Sequence, residues 1–245
     1  MRRILVLAHT GRDDALQAAL DTCRSLRDAG LIPVMRRREL QNLRNAAAGE
    51  TLAVEILDED VDLAQIDLGM VLGGDGTVLR AAELVRNSTV PLLGVNLGHV
   101  GFLAESERAD LSRTVEWVVN REYTVEERMT IDVQAWVGNR RIAHTWALNE
   151  AAVEKANRER MIEVVMEVDG RPLSTFGCDG MVLATPTGST AYAFSAGGPV
   201  VWPEVEALIM APISAHALFA KPLVVGPDSR LAVEVLTRTD APAVL

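Results

Sequence analysis

"MVLGGDGTVLR", residues 70–80, runs an apolar strand into two glycines, an acid and a third glycine, then opens a helix-like pattern. A turn requires one glycine. Three glycines around Asp75 (Gly73, Gly74 and Gly76, followed by Thr77) read as backbone cleared for something bulky, with an acid at its edge. At the carboxyl end of a parallel strand, ligands collect in the crevice where the sheet opens. Glycines there expose N–H groups and let a phosphate approach closely. The loop is neither GxxxxGK[ST] nor GxGxxG. The plain alternative makes Asp75 a helix N-cap, with the glycines serving the turn. A carboxylate beside phosphates is repelled unless it holds magnesium or takes a proton from an incoming hydroxyl.

Outward from this loop, strands and helices alternate. "RRILVLAHT" reads as a strand. "GRDDALQAALDTCRSLRDAG" is a helix carrying Ala15, Ala19, Thr22, Leu26 and Ala29 on one face, with Gly30 as its stop. "LIPVMR", "AVEIL", "LGMVLGG" and "PLLGVN" are strands, and "TVLRAAELVRN" and "ADLSRTVEWVVNRE" are helices. The basic run Arg36-Arg37-Arg38 reads as a solvated strand end. Such alternation predicts an α/β, Rossmann-like first domain with a parallel sheet, residues 1–122. From residue 123 to 245 the pattern turns β-rich: "TIDVQAWV", "RIAHTWALNEAAVEK", "MIEVVMEVDG", "GMVLATP", "LVVGP" and "RLAVEVLT", separated by turns such as "VGNR" and "VDGR". The closing stretch "RLAVEVLTRTDAPAVL" ends on a strand that either pairs back into the sheet or marks a sequence stopping short of its natural end.

The whole chain bounds the possibilities. Its 245 residues are 49% hydrophobic and 24% charged, with a formal net charge of −10. An acidic chain of this kind is not expected to bind nucleic acid broadly. Its apolar runs are strand-sized, short of the roughly 18 residues of a membrane span, so no membrane association is expected. The N-terminal "MRRILVLAHTGRDD" reads as a strand rather than a signal peptide. Cys23 and Cys178 make no disulfide or metal framework, and a reducing cytoplasm fits. His9, His99, His144 and His216 form no metal pattern, although His9 and His99 end or follow strands near the expected crevice.

Three further features lie in the second half. "TPTGSTAYAFSAGGP", residues 185–199, combines turn-fixing Pro186 and Gly188, hydroxyls at Ser189 and Thr190, the ring of Tyr192 and a second turn at Gly197-Gly198-Pro199. That density suits a phosphate or ribose ligand. Composition alone equally allows a turn-rich loop followed by a short helix. Asn149-Glu150 follows the strand "HTWAL" and could read ribose hydroxyls or an adenine edge; standing alone it would be a strand-end turn. Asp179-Gly180 would likewise be a routine turn, and the adjacent Cys178 reads as a packed small residue rather than a nucleophile.

Together "GGDGT" (73–77), "NLGHVGFLAE" (96–105), "NE" (149–150), "DG" (179–180) and "TPTGSTAYAFSAGGP" resemble the NAD kinase family in order and spacing, across most of the chain. "GGDGT" alone is shared with lipid kinases and, in related form, phosphofructokinases; the long "TPTGSTAY…GGP" segment is far more specific. "FGCDG" and "SAHALF" resemble the actinobacterial branch. The resemblance implies a Rossmann-like domain followed by a β-rich one, a homodimer or homotetramer, and magnesium or another divalent metal. It implies transfer of the γ-phosphoryl of ATP, or of a phosphoryl group of polyphosphate, to the adenosine-ribose 2′-hydroxyl of NAD. Asp75 becomes the proton acceptor with Gly76 beside it. Arg80, as a phosphate-contacting base, belongs with Asp75, Gly76, Asn149, Glu150 and Arg160 to the residues that bind NAD. Asp179 and the run Thr190, Ala191, Tyr192, Ala193, Phe194 and Ser195 complete the NAD pocket. A lipid or sphingoid-base kinase sharing "GGDGT", or a catalytically silent NAD-binding regulator, are the alternatives.

Overall fold

A computed structural model describes residues 1–9, 13–46, 53–97, 103–104, 106–107, 110–157, 160–217, 220–236 and 243–244. The chain divides into two compact units, Met1–Glu126 and Glu127–Leu245.

In the first unit the elements run β1 (Arg3–Ala8), α1 (Asp13–Asp28), β2 (Ile32–Met35), α2 (Arg37–Ala46), β3 (Glu55–Ile56), β4 (Leu68–Leu72), α3 (Asp75–Val85), β5 (Leu92–Asn96), β6 (Ser106–Glu107) and α4 (Leu111–Asn120). The six strands form one parallel sheet in the order β3-β2-β1-β4-β5-β6. Alternation along β1 sends Ile4, Val6 and Ala8 to a core shared with α1, α2 and α4, and Leu5 and Leu7 to a second core under α3. Both faces are therefore covered, which explains why β4 is apolar throughout. The expected α1 stripe is buried at Ala15, Ala19, Thr22 and Leu26, but the helix ends at Asp28 and Ala29 is exposed. α2 is absent from the expected elements, and "AVEIL" shrinks to the two-residue β3.

The strand order reverses between β1, whose neighbour on one side is β2, and β4, which leads on to β5. That reversal opens the sheet at the carboxyl ends of β1 and β4, which is where the 73–77 loop leaves.

The second unit holds β7 (Ile131–Val137), β8 (Arg140–Ala147), β9 (Glu150–Lys155), β10 (Ile162–Val168), β11 (Arg171–Cys178), β12 (Gly180–Ala184), the four-residue α5 (Tyr192–Ser195), β13 (Leu208–Ile213), β14 (Leu223–Val225), β15 (Leu231–Val235) and β16 (Ala243–Val244). An antiparallel sheet, β14-β13-β12-β9-β16, lies against the three-stranded β11-β10-β15; β7 and β8 pair as a hairpin. Met181 and Met210 of the larger sheet pack on Ile162, Val164, Phe176 and Cys178 of the smaller one. On its opposite face Val182, Ala184, Ile209 and Ala211 pack on Ala193 of α5. The short α5 and its flanking loops are thus held by the core. The stretch read as "RIAHTWALNEAAVEK" divides into β8 and β9, and the break falls at Leu148-Asn149.

Candidate functional site

In the first unit, α3 starts directly after β4. Its N-cap is Gly74, in extended conformation and without a side-chain cap, so Asp75 is the first helical residue rather than the cap. This replaces the N-cap reading. The Leu103 amide donates to Asp75 Oδ1 at 3.1 Å, and the half-buried carboxylate sits in the first turn of α3. The three glycines have different reasons. A Cβ at Gly73 would come within 2.6 Å of Thr77 Oγ1, so packing inside the loop excludes any side chain there. A Cβ at Gly74 or Gly76 would meet nothing within 4 Å among the described residues, and both are exposed. No packing among those residues requires these two to be small. Arg80, one turn on, donates to Thr77 Oγ1 at 3.3 Å. Thr77 and Arg80 line a cleft of about 310 Å³, together with His9 at the end of β1. His99 and most of "NLGHVGFLAE" lie outside the described residues.

In the second unit the "TPTG" turn grips the "NE" turn. The fully buried Thr185 gives its amide to Asn149 O at 2.9 Å and its hydroxyl to Leu148 O at 2.5 Å. The same hydroxyl oxygen accepts the Gly188 amide at 3.1 Å. A Cβ at Gly188 would overlap the Asn149 carbonyl, so only glycine allows this approach. Ser189 ties the segment down from the other side: its hydroxyl donates to Val201 O at 3.1 Å and accepts Val201 N at 2.9 Å. α5 closes with paired bonds from Gly197 N to Phe194 O and from Gly198 N to Ala193 O, a Schellman ending that accounts for the second glycine pair.

This clamp leaves two acceptors in want of donors. Asn149 Oδ1 and Glu150 Oε2 are both buried and have no hydrogen-bond partner among the described residues. Desolvation raises the Glu150 carboxyl above its ordinary range, and the Tyr192 amide only partly opposes the shift. Buried polar groups in native proteins are nearly always satisfied, so adjacent orphans point to a ligand that supplies the missing N–H or O–H groups. Of the run 190–195, Thr190 and Ala191 are half-buried, Ala193 is buried, and Tyr192, Phe194 and Ser195 are exposed. Tyr192 Oη donates to Glu154.

Asp179 pairs with Lys155 Nζ at 2.5 Å, which holds its carboxyl below the ordinary range. Lys155 carries no motif and was not anticipated. Gly180, beside it, has its Cα where a Cβ would fall 2.6 Å from Val153 O, so it too is a close-approach glycine. Arg160 is exposed in the connection from β9 to β10. Burial pushes the thiols of Cys23 and Cys178 up to about 12 and about 11, which makes both inert. Among the described residues no group of three His, Cys, Asp or Glu side chains could hold a metal by itself, and no helix is long and apolar enough to cross a membrane.

Sequence profiles of the ATP-NAD kinase N-terminal and C-terminal domains match residues 4–123 and 148–245. A NAD kinase of Leifsonia xyli subsp. xyli is 59% identical over 244 residues, covering 100% of this chain and 80% of that protein. NAD kinase 2 of Streptomyces coelicolor is 60% identical over 239 residues, covering 96% and 77%. Among solved structures, an NAD kinase from Archaeoglobus fulgidus in complex with ATP has a TM-score of 0.72 at 28% identity, covering 100% of this chain and 83% of that one. The yeast NADH kinase complexed with NADH has a TM-score of 0.85 at 22% identity, covering 97% and 73%; at that identity it supports the fold alone.

Proposed function

The chain belongs to the ATP-NAD kinase family and is a kinase that phosphorylates NAD; from that premise we propose that it transfers a phosphoryl group from ATP or polyphosphate to the 2′-hydroxyl of the adenosine ribose, with Asp75 as the proton acceptor. The observation that carries the residue assignment is the pair of buried, unsatisfied acceptors at Asn149 and Glu150. The adenosine of NAD offers matching donors, namely ribose hydroxyls and the adenine amino group.

Asn149 and Glu150 orient NAD, and Thr185 and Gly188 keep them in place. The run Thr190–Ser195 and Asp179 supply the rest of the NAD-binding surface, with Arg160 reaching for the dinucleotide. Asp75 accepts the ribose proton as the new phosphate–oxygen bond forms. The exposed loop at Gly74 and Gly76, with Arg80, takes up phosphate charge. Phosphoryl transfer asks mainly for positioning and charge compensation, so these few groups suffice. Magnesium is generally held by one or two carboxylates plus substrate phosphates rather than by a protein cage. With Asp75 serving as the proton acceptor, the substrate phosphates themselves would hold most of the ion, which would offset the negative charge that builds on them. The enzyme works as a homodimer or homotetramer in the cytoplasm.

A coupled assay tests the activity: protein, NAD, ATP and magnesium, read by an NADP-specific dehydrogenase. Sustained NADP formation supports the assignment. Its absence, with NAD still bound, favours a silent NAD-binding regulator.

A further inference from the structure

Lys155 belongs to no motif, yet it stands at one end of the surface assigned to NAD. β9 and β12 pair from Glu150, opposite Ala184, to Glu154, opposite Gly180. The orphaned acceptors of Asn149 and Glu150 lie at one end of this ladder. Asp179, which immediately precedes β12, lies at the other. The four strand residues between them span roughly 13 Å at the usual rise. Asp179 therefore serves a part of the dinucleotide well beyond the adenosine.

That end is held by one residue above the others. The Lys155 amide donates to Asp179 O at 2.9 Å, and Lys155 Nζ meets Asp179 Oδ1 at 2.5 Å. A single lysine thus fixes both the main chain and the carboxylate of Asp179. The Asp179 amide donates to Ile213 O at 2.9 Å, which ties the corner to β13. The Ser214 hydroxyl also bonds to the Asp179 carboxylate, and His216 is close enough for its charge to act on it. The Lys155 side chain is 23% exposed and that of Asp179 33%, so the pair is partly withdrawn from water.

The residue before Lys155 adds a second acid. Glu154 accepts from the Tyr192 hydroxyl, and the charges of both Glu154 and Asp179 act on that tyrosine. Two carboxylates therefore flank the ring of Tyr192. A dinucleotide brings two further negative charges on its pyrophosphate, and like charges brought together repel. Lys155 is the cation placed to offset them.

We propose that Lys155 is a positioning residue for NAD: it holds the Asp179 carboxylate in one orientation and offsets the negative charge that Asp179 and Glu154 bring to this end of the site, without touching the dinucleotide itself; the proposal rests on the assignment of Asp179 to the NAD-binding surface. A pre-fixed carboxylate binds more tightly than a mobile one, because its ordering is already complete before the ligand arrives.

The test is calorimetric titration of the full chain with NAD, alone and in competition with AMP, which keeps only the adenosine end, with steady-state kinetics alongside. Lys155→Gln should weaken NAD by about 5-fold, the factor matching the upper end for an ion pair that water still reaches. AMP affinity and kcat should stay at wild-type values. Lys155→Met, of similar length, should match Lys155→Gln, and Lys155→Arg, which keeps the charge and the reach, should restore most of the loss. Asp179→Asn should weaken NAD at least as much as Lys155→Gln does. The double variant should bind NAD no more weakly than Asp179→Asn alone, because the lysine acts through the carboxylate. Thermal melts check that each variant is folded. Wild-type NAD affinity in Lys155→Gln and Lys155→Met would overturn the proposal. So would equal losses for NAD and AMP, which mark a loosened fold, or losses that add in the double variant, which put Lys155 on the dinucleotide itself. The underlying assignment fails separately: an Asp179→Asn variant that binds NAD like the wild type removes Asp179 from the site. A weakened Asp179→Asn beside an unchanged Lys155→Gln keeps Asp179 there and removes only the role of the lysine.

Discussion

Glu150→Gln should separate binding from stability. In the free protein the Glu150 carboxylate is partly desolvated, with Oε2 unsatisfied and only the Tyr192 amide offsetting its charge. Its folded pKa is raised above the unfolded value, so its contribution favours folding below the unfolded pKa of about 4.3 and is lost as pH rises through the folded value. The amide removes this ionisation while still accepting the Tyr192 N–H. An unsatisfied buried polar group costs about 1–3 kcal/mol, and a half-buried one sits at the low end. Relief of about 1 kcal/mol would raise Tm at neutral pH by about 2–4 °C for a chain of this size, and the gain should shrink toward pH 4. Binding should move the other way. If NAD donates to Oε2, the substitution loses a hydrogen bond to a charged acceptor, about 1.5–3 kcal/mol. That is a rise in KM for NAD of about 10- to 150-fold, with KM for ATP little changed. Scanning calorimetry from pH 4 to 8 and steady-state kinetics with each substrate varied read both effects. A KM for NAD within twofold of wild type would refute the ligand role of Glu150. A Tm lowered by several degrees would show that the carboxylate holds the fold instead.

Other outcomes follow from the same geometry. Asp75→Asn keeps the size and removes the base, so kcat should fall by about 10²–10⁴-fold or more with an unchanged melting curve; half-retained activity would return Asp75 to a structural role. Gly188→Ala forces a methyl into the Asn149 carbonyl, and overpacking of this kind costs about 1–3 kcal/mol. Its Tm should drop and its KM for NAD should rise together, whereas a drop in Tm alone would separate the clamp from NAD binding. Cys23 and Cys178, whose thiols are pushed up to about 12 and about 11 by burial, should resist a chromogenic disulfide reagent at pH 8 until the protein is unfolded. Rapid labelling of the native protein would contradict that burial.

The loop at 73–77 was legible because β4 is apolar on both faces and punctuated by glycine, a pattern that only a covered parallel strand before a turn explains. α2 was not legible. Its sequence "RRELQNLRNA" offers only Leu40 and Leu43 to the core, and one apolar pair does not establish a helical period. β13 was hidden by Pro212 within "LIMAPI", since proline argues against a paired strand. The candidate residues in the second half could be named, but their mutual support could not be seen: the grip of Thr185 and Gly188 on Asn149 joins residues more than 30 positions apart, and only the folded backbone brings them together. For the same reason local charge made Arg36 and Arg38 look solvated, and the strand order then placed them on the cleft lined by Thr77 and Arg80.

The central claim is the site of phosphorylation, and the most direct measurement is the identity of the product. NAD and its analogue lacking the adenosine-ribose 2′-hydroxyl should be incubated in parallel with enzyme, ATP and magnesium, and the products analysed by phosphorus NMR and mass spectrometry. NAD should gain one phosphate, on the adenosine-ribose 2′-oxygen alone. The analogue should bind, inhibit competitively with NAD and gain none. Phosphate on any other hydroxyl of NAD, or turnover of the analogue, would contradict the account.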